Sequence, residues 1–229
     1  MDASVRSRLT RVERMEQTLS AAHDLFAERG YAEVTMDEIA NAVGVTKPLL
    51  YNYFGNKERL YIACMERAGD ALTATVDKAV TATRSPGEAL SAGVHAFFAF
   101  LDSDRGAWVV LFDETLPNHG EVAERVADYR RRITGLVAGS LLAQLPQQRR
   151  NAARAEVEAL SAALLGAAEA LARWWLRTQA VSAEEAAELL VTTIEPGLRA
   201  RSAVSFDAET EAGAAPPPSK STGKGKTKK

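Results

Sequence analysis

The chain of 229 residues reads as an all-α protein on three observations. Apolar residues recur three and four positions apart along most of its length, with no convincing alternating strand segment between them. Helix starts are marked by a hydroxyl residue followed three places later by Glu, at Thr10/Glu13, Thr35/Glu38, Ser85/Glu88 and Ser182/Glu185. Ala, Leu, Glu and Arg dominate, and Gly and Pro are sparse outside the C-terminal tail.

The first helix opens at the Thr10/Glu13 box and runs through Arg29, with Val12, Met15, Leu19, Ala22 and Phe26 as its apolar positions. Thr35 caps a short second helix striped by Ile39, Ala40 and Val43, and Gly44 ends it where a left-handed conformation costs glycine little. Val45 tucks inward, Thr46 caps a third helix, and Pro48 sits in its first turn, where a missing N–H is harmless. Leu50 and Phe54 anchor that helix and leave Lys47, Leu49, Asn52 and Tyr53 on other faces. Asn56 caps a fourth helix that continues to about Val80 and links this head to the rest. Ser85-Pro86 opens a helix to about Leu101, and an apolar segment runs from Trp108 to Leu116. Long helices follow over 121–145 and 147–177, and a last one runs from Ala183 to about Ala200, with Pro196 kinking or shortening it. Two helices about a tight turn at 35–54 are a helix-turn-helix, whose second helix enters a DNA major groove.

The segment GVTKPLLYNYFGNKERL resembles the recognition segment of the TetR-family transcriptional regulators (the TetR/AcrR type), whose pattern is roughly G-V-[ST]-x-x-x-[LIV]-Y-x-[HY]-F-x-x-K-x-x-L. The upstream stretch LSAAHDLFAERGYAEVTMDEIA fits the same family's first helix through Phe26, Gly30, Tyr31, Thr35 and Ile39, so the resemblance covers about residues 10–60. It implies a head over 10–57, a ligand-binding and dimerisation body over 58–203, and a tail over 204–229. The Pro-, Ser-, Gly- and Lys-rich composition of that tail reads as disordered, either a solvated appendage or an extra electrostatic DNA contact.

Carried over position by position, Thr35, Tyr51 and Lys57 match family positions that hold DNA phosphates, with Thr46 at the cap of the reading helix. Lys47, Pro48, Leu49 and Asn52 match those facing base edges, and Tyr53 lies at their border. The chemistry agrees: Lys donates to guanine O6/N7, Asn bonds adenine in bidentate fashion, and Leu touches a thymine methyl. Thr, Tyr and Lys donate to phosphate oxygens. Packing against the first helix is the alternative for Tyr51 and Tyr53. The head is not basic in bulk, but Arg6, Arg8, Arg11 and Arg14 bunch in an N-terminal arm and Lys47 and Lys57 flank the reading helix, so a focused patch remains feasible.

In the body, the resemblance implies a small-molecule pocket lined by aromatic side chains. The candidates are Phe97, Phe98, Trp108, Phe112, Tyr129 and Trp174, with ordinary core as the alternative. The effector expected there is apolar. The resemblance also implies pairing of the last two long helices with those of a second copy. Leu160, Leu164, Ala167, Leu171 and Trp175 form one stripe, and Leu190 and Ile194 belong to another; internal packing is the alternative for both.

Other function classes lack support in the residues. His23, His95 and His119 are scattered without metal-ligand spacing, so no metal or cofactor is expected. No nucleophile elbow, Walker loop or dinucleotide-binding glycine pattern is present, which argues against an enzyme. No apolar run approaches about 18 residues, so no membrane span is expected, and the polar N-terminus does not read as a signal peptide. The single Cys64, amid Leu60, Ile62 and Met65, reads as a core thiol in a reducing cytoplasm. The expected function is sequence-specific DNA binding by a homodimer at a palindromic operator, as a ligand-responsive repressor. The rival is a helical small-molecule-binding or adaptor protein without DNA binding, against which the Lys47/Tyr51/Lys57 set argues.

Overall fold

In the computed structural model, described for residues 10–84, 86–112, 116, 119–143 and 145–212, every regular element is helical. In order these are α1 (Arg11–Glu33), α2 (Met36–Val43), α3 (Lys47–Phe54), α4 (Lys57–Thr81), α5 (Pro86–Ser103), α6 (Arg105–Phe112), α7 (Gly120–Ala143), α8 (Arg150–Thr178) and α9 (Ala183–Ala212). A 3-10 turn, Gln147–Arg149, leads into α8. None of the described helices is long and apolar enough to cross a membrane.

Four of the expected caps form, Thr46 makes no side-chain cap bond, and Ser85 lies outside the described residues. Thr10 and Thr35 each exchange two hydrogen bonds with the Glu three residues on, Asn56 accepts from Arg59 N–H, and Ser182 does the same from Glu185 N–H. Gly30 breaks α1 at φ 76°, just past Arg29, so the last turn of α1 points the chain toward α2. Gly44 takes the left-handed conformation (φ 72°) that closes α2.

Two boundaries differ from expectation. The helix after α5 starts at Arg105 rather than Trp108, because the Asp104 carboxylate accepts Ala107 N–H at 3.0 Å and caps it. It is described as far as Phe112, and residues 113–115, which the expected apolar segment also took in, lie outside the described residues. The last helix continues past Pro196 to Ala212 instead of stopping near Ala200, and so takes in residues 204–212 that composition placed in the tail. Ala203, Ala208, Glu209 and Glu211 are strong helix formers, which favours that continuation. The rest of the tail from Gly213, and the arm residues Arg6 and Arg8, lie outside the described residues.

Residues up to Val191 form one unit, and the part of α9 from Thr192 belongs to another. Within the first unit α4 is the central strut, packed against α1, α5, α6 and α7, while α7 also packs on α8. Phe26 of α1 and Tyr61 of α4 meet edge to face at 4.8 Å, with Tyr31 against Tyr61 at 4.9 Å. The Tyr61 hydroxyl donates to the Val110 carbonyl of α6 at 2.8 Å, a fully buried hydrogen bond contributing about 1 kcal/mol. His23 of α1 meets Asp104 at 3.1 Å, so one carboxylate both caps α6 and ties it to the head. Between α4 and α7, Gly69 lets Tyr129 lie directly on the backbone: a Cβ at Gly69 would stand 2.5 Å from that ring. The Tyr129 hydroxyl then donates to Glu66 O at 3.2 Å, and Arg132 pairs with Asp70 at 2.9 Å.

Candidate nucleic-acid interface and ligand cavity

The short helix α3 is held from below. Leu50 is fully buried and Phe54 nearly so, four residues apart on the face toward the core. The opposite side presents Thr46, Lys47, Pro48, Tyr51 and Asn52, all exposed. Residues 47 and 51, and 48 and 52, are one turn apart, so they form a single continuous strip beginning at the helix N-terminus. Thr46 makes no side-chain cap bond, so its exposed hydroxyl is not used by the helix and stands at the positive end of the helix dipole, while Pro48 has no N–H and Leu49 N–H is taken by Thr46 O at 3.0 Å. Leu49 and Tyr53 are half-buried at the margin, and the Arg11 guanidinium stands 5.6 Å from the Tyr53 ring centroid. Tyr53 therefore does pack toward the first helix, whereas Tyr51 stays open.

Electrostatics modify the expected roles of the two lysines. Lys47 Nζ lies 2.8 Å from Asp37 Oδ1 and 2.9 Å from Oδ2, and this partner raises the Lys47 pKa. Lys57 donates to the Ala32 carbonyl at 3.2 Å and sits 4.5 Å from the Tyr31 ring centroid. Burial lowers its pKa, with Glu38 and Glu33 pulling the other way. The Thr35 hydroxyl is likewise engaged, at 2.8 Å from Glu38 Oε2. Glu38 in turn pairs with Arg29 at 2.8 Å and is held down at about 2, chiefly by Arg29 and then by Thr35. Asp37 and Arg11 were missed as partners of the strip; Asp37 stands in the first turn of α2, but its approach to a lysine ten residues later depends on how the turn folds back.

In the body, α4, α5, α7 and α8 surround a cavity of about 70 Å³. Its wall includes Leu72 and Val76 of α4, Val94 and Phe97 of α5, Ile133, Val137 and Ser140 of α7, and Leu164 and Ala168 of α8. Ser140 is the polar side chain among these described residues. Of the six aromatic candidates, Phe97 stands on this wall and the other five do not. Phe98 is fully buried against Trp175 at 5.9 Å. Trp108 and Phe112 pack on each other at 4.6 Å. Tyr129 covers Gly69, and Trp174 faces out on α8. Phe98, Trp108, Phe112 and Tyr129 pack between helices, and the cavity wall is aliphatic apart from Phe97 and Ser140.

The residues of the expected dimer stripe likewise divide between buried and half-buried positions. Leu164 is on the cavity wall, Trp175 is 1% exposed with its indole N–H donating to Val181 O, and Leu190 is buried. These three are buried within one subunit. Leu160, Ala167, Leu171 and Ile194 are half-buried. The exposed side of α8 is one of small residues: Ala159, Ala162, Ala163, Gly166 and Ala170, followed by Trp174.

Residues 19–64 match the model of bacterial regulatory proteins of the tetR family, and residues 86–196 match the tetracyclin repressor-like C-terminal domain. Over 120 residues the chain is 39% identical to the HTH-type transcriptional activator FasR of Mycolicibacterium smegmatis, and over 131 residues 28% identical to the HTH-type transcriptional regulator HbdR of Aromatoleum sp. (strain CIB). These alignments take in 52% and 57% of this chain, and the chain spans only 55% and 57% of the length of those two relatives. A TetR-like transcriptional regulator from Rhodococcus sp. RHA1 superposes over 84% of this chain and 99% of its own, with a TM-score of 0.70 and 32% identity. With its helix-turn-helix exposed on a helical body and both halves of the family matched in order, the chain belongs to the TetR family of DNA-binding transcriptional regulators.

Proposed function

We propose that this protein is a cytoplasmic homodimer that reads a palindromic operator with α3 and represses transcription until an apolar small molecule enters the cavity of its body. The observation that carries the reading is the open strip of Thr46, Lys47, Pro48, Tyr51 and Asn52 on a helix whose other face is locked into the core. Such a strip supplies hydroxyl donors for phosphates at Thr46 and Tyr51 and donors for base edges at Lys47 and Asn52. Two heads on a twofold axis would reach major grooves 34–36 Å apart, roughly one helical turn. The small-residue side of α8 suits close approach of a second copy, with Trp174 and the exposed Leu189 adding apolar area.

The cavity supports the sensing half of the proposal. Its free volume lies far below the roughly 300–1,000 Å³ of established ligand pockets, so an occupant must spread the surrounding helices. Leu72 and Val76 lie on α4, which begins at Lys57 immediately after the reading helix. Spreading α4 from α7 therefore shifts the head, and the ligand favours one head spacing by as much as its affinities for the two arrangements differ. Activation is the second reading, favoured by the similarity to FasR, which is named an activator.

DNA selected from a random pool with the full chain, followed by Lys57→Ala and Lys47→Ala, tests the reader. Lys57→Ala should weaken all sequences alike and flatten the salt dependence. Lys47→Ala should relax preference at one operator position by about 1–3 kcal/mol. Binding unchanged in both variants refutes α3 as the reader; no selected sequence at all favours the adaptor reading. A reporter on the selected site, with and without the protein, separates repression from activation.

A further inference from the structure

The reading lysine is not free in the unbound head. Asp37 and Lys47 stand on different helices, in the first turn of α2 and at the first position of α3, and the two carboxylate oxygens approach the ammonium at 2.8 and 2.9 Å. Both side chains are more than half exposed, 53% for Lys47 and 58% for Asp37, so the pair is weak and can open without stranding a buried charge. Asp37 keeps a favourable place when the lysine leaves, because it sits at the positive end of the α2 dipole beside the Thr35 cap.

We propose that Asp37 is a specificity-determining residue: it holds Lys47 closed on unmatched DNA and gives it up only to a base edge that replaces both carboxylate oxygens. This rests on the reading of α3 proposed above. Guanine offers such an edge, since O6 and N7 present two acceptors side by side in the major groove. A lone phosphate oxygen offers one acceptor and must compete with a carboxylate tethered at hydrogen-bond distance, whose effective concentration is high. Without Asp37, Lys47 would be available to any phosphate within reach and would add a contact that carries no sequence information. The aspartate thus removes one unit of indiscriminate attraction from a head whose cations are few.

The test uses full-length protein, the duplex best enriched from a random pool, and a scrambled duplex of equal length and base composition. Asp37→Asn should steepen the dependence of log K on log salt by about 0.9 on the scrambled duplex, the signature of one added phosphate contact. It should leave the slope on the enriched duplex unchanged. Affinity for the scrambled duplex should rise about fivefold at 0.15 M salt, the size of that one contact. In a Lys47→Met background the same substitution should change neither slope. Equal steepening on both duplexes, or steepening that persists without Lys47, would show Asp37 acting as plain charge repulsion and overturn the proposal; so would unchanged slopes. If no duplex is enriched, the reading of α3 itself fails and this inference falls with it, a result distinct from an enriched duplex with unmoved slopes. Asp37→Ser, which likewise removes the charge, repeats the measurement should the Asn variant unfold early.

Discussion

Replacing Leu164 by Ala separates the two positions that this residue has been given, core wall and subunit seam. The side chain is 6% exposed within one subunit and borders the cavity between α4, α5, α7 and α8. Truncation returns about three carbon groups to the solvent side of the ledger, about 2.4 kcal/mol at 0.8 kcal/mol each. The added void costs further, about 24 cal/mol per Å³, although a wall already facing free space relaxes more easily than a tight core. The expected loss is about 3 kcal/mol, which for a chain of this size lowers the midpoint of thermal unfolding by about 6–12 °C. Unfolding should be followed at one fixed protomer concentration, because a dimer's midpoint depends on it. Sedimentation should show the variant still dimeric. The enlarged apolar cavity should also take up benzene, so that benzene raises the variant's midpoint more than the parent's. A loss below about 1 kcal/mol accompanied by dissociation to monomers would refute the reasoning and return Leu164 to the seam.

Gly166 gives the complementary test: a Cβ there meets nothing within 4 Å inside the subunit, so Gly166→Glu should fold normally yet sediment as a monomer and lose operator affinity. A variant that stays dimeric would move the seam off this side of α8. Glu38 is held at about 2 by Arg29 and Thr35, below its unfolded value near 4.5, so its contribution to stability is complete above pH 4.5 and drains away as pH falls toward 2. Glu38→Gln should therefore flatten the acid limb of a plot of stability against pH over that window, and an unchanged limb would count against the pairing. Burial pushes the Cys64 thiol up to about 12, so native protein at pH 8 should react with a thiol reagent only at its unfolding rate, and prompt labelling would contradict its placement in the core.

Much of the head was legible in the chain because it is built from local rules. A hydroxyl with Glu three residues on, a glycine that alone tolerates φ 72°, and a proline in a first turn each act within a few residues, and all fall where spacing put them. The four-residue spacing of Leu50 and Phe54 marks the core face of α3, where both are buried, and the family's pattern added the roles of the residues on its other faces. What stayed hidden depends on which surfaces meet. The most apolar stripe of α8 was the natural candidate for a seam, yet a subunit uses its most apolar stripe for its own core, which is why Leu164 and Trp175 are buried. The side left over is alanine and glycine, nearly neutral on any hydropathy scale. The same holds for the cavity: Val76, Val137 and Leu164 carry the periodicity of any core residue, and only the imperfect meeting of four helices leaves space beside them. The Asp37–Lys47 pair spans ten residues across a turn whose closure brings them together, so composition could count both charges but not join them. Caps, turns and helix faces are settled by neighbours along the chain; burial, cavity and pairing are settled by neighbours in space, which one dimension does not contain.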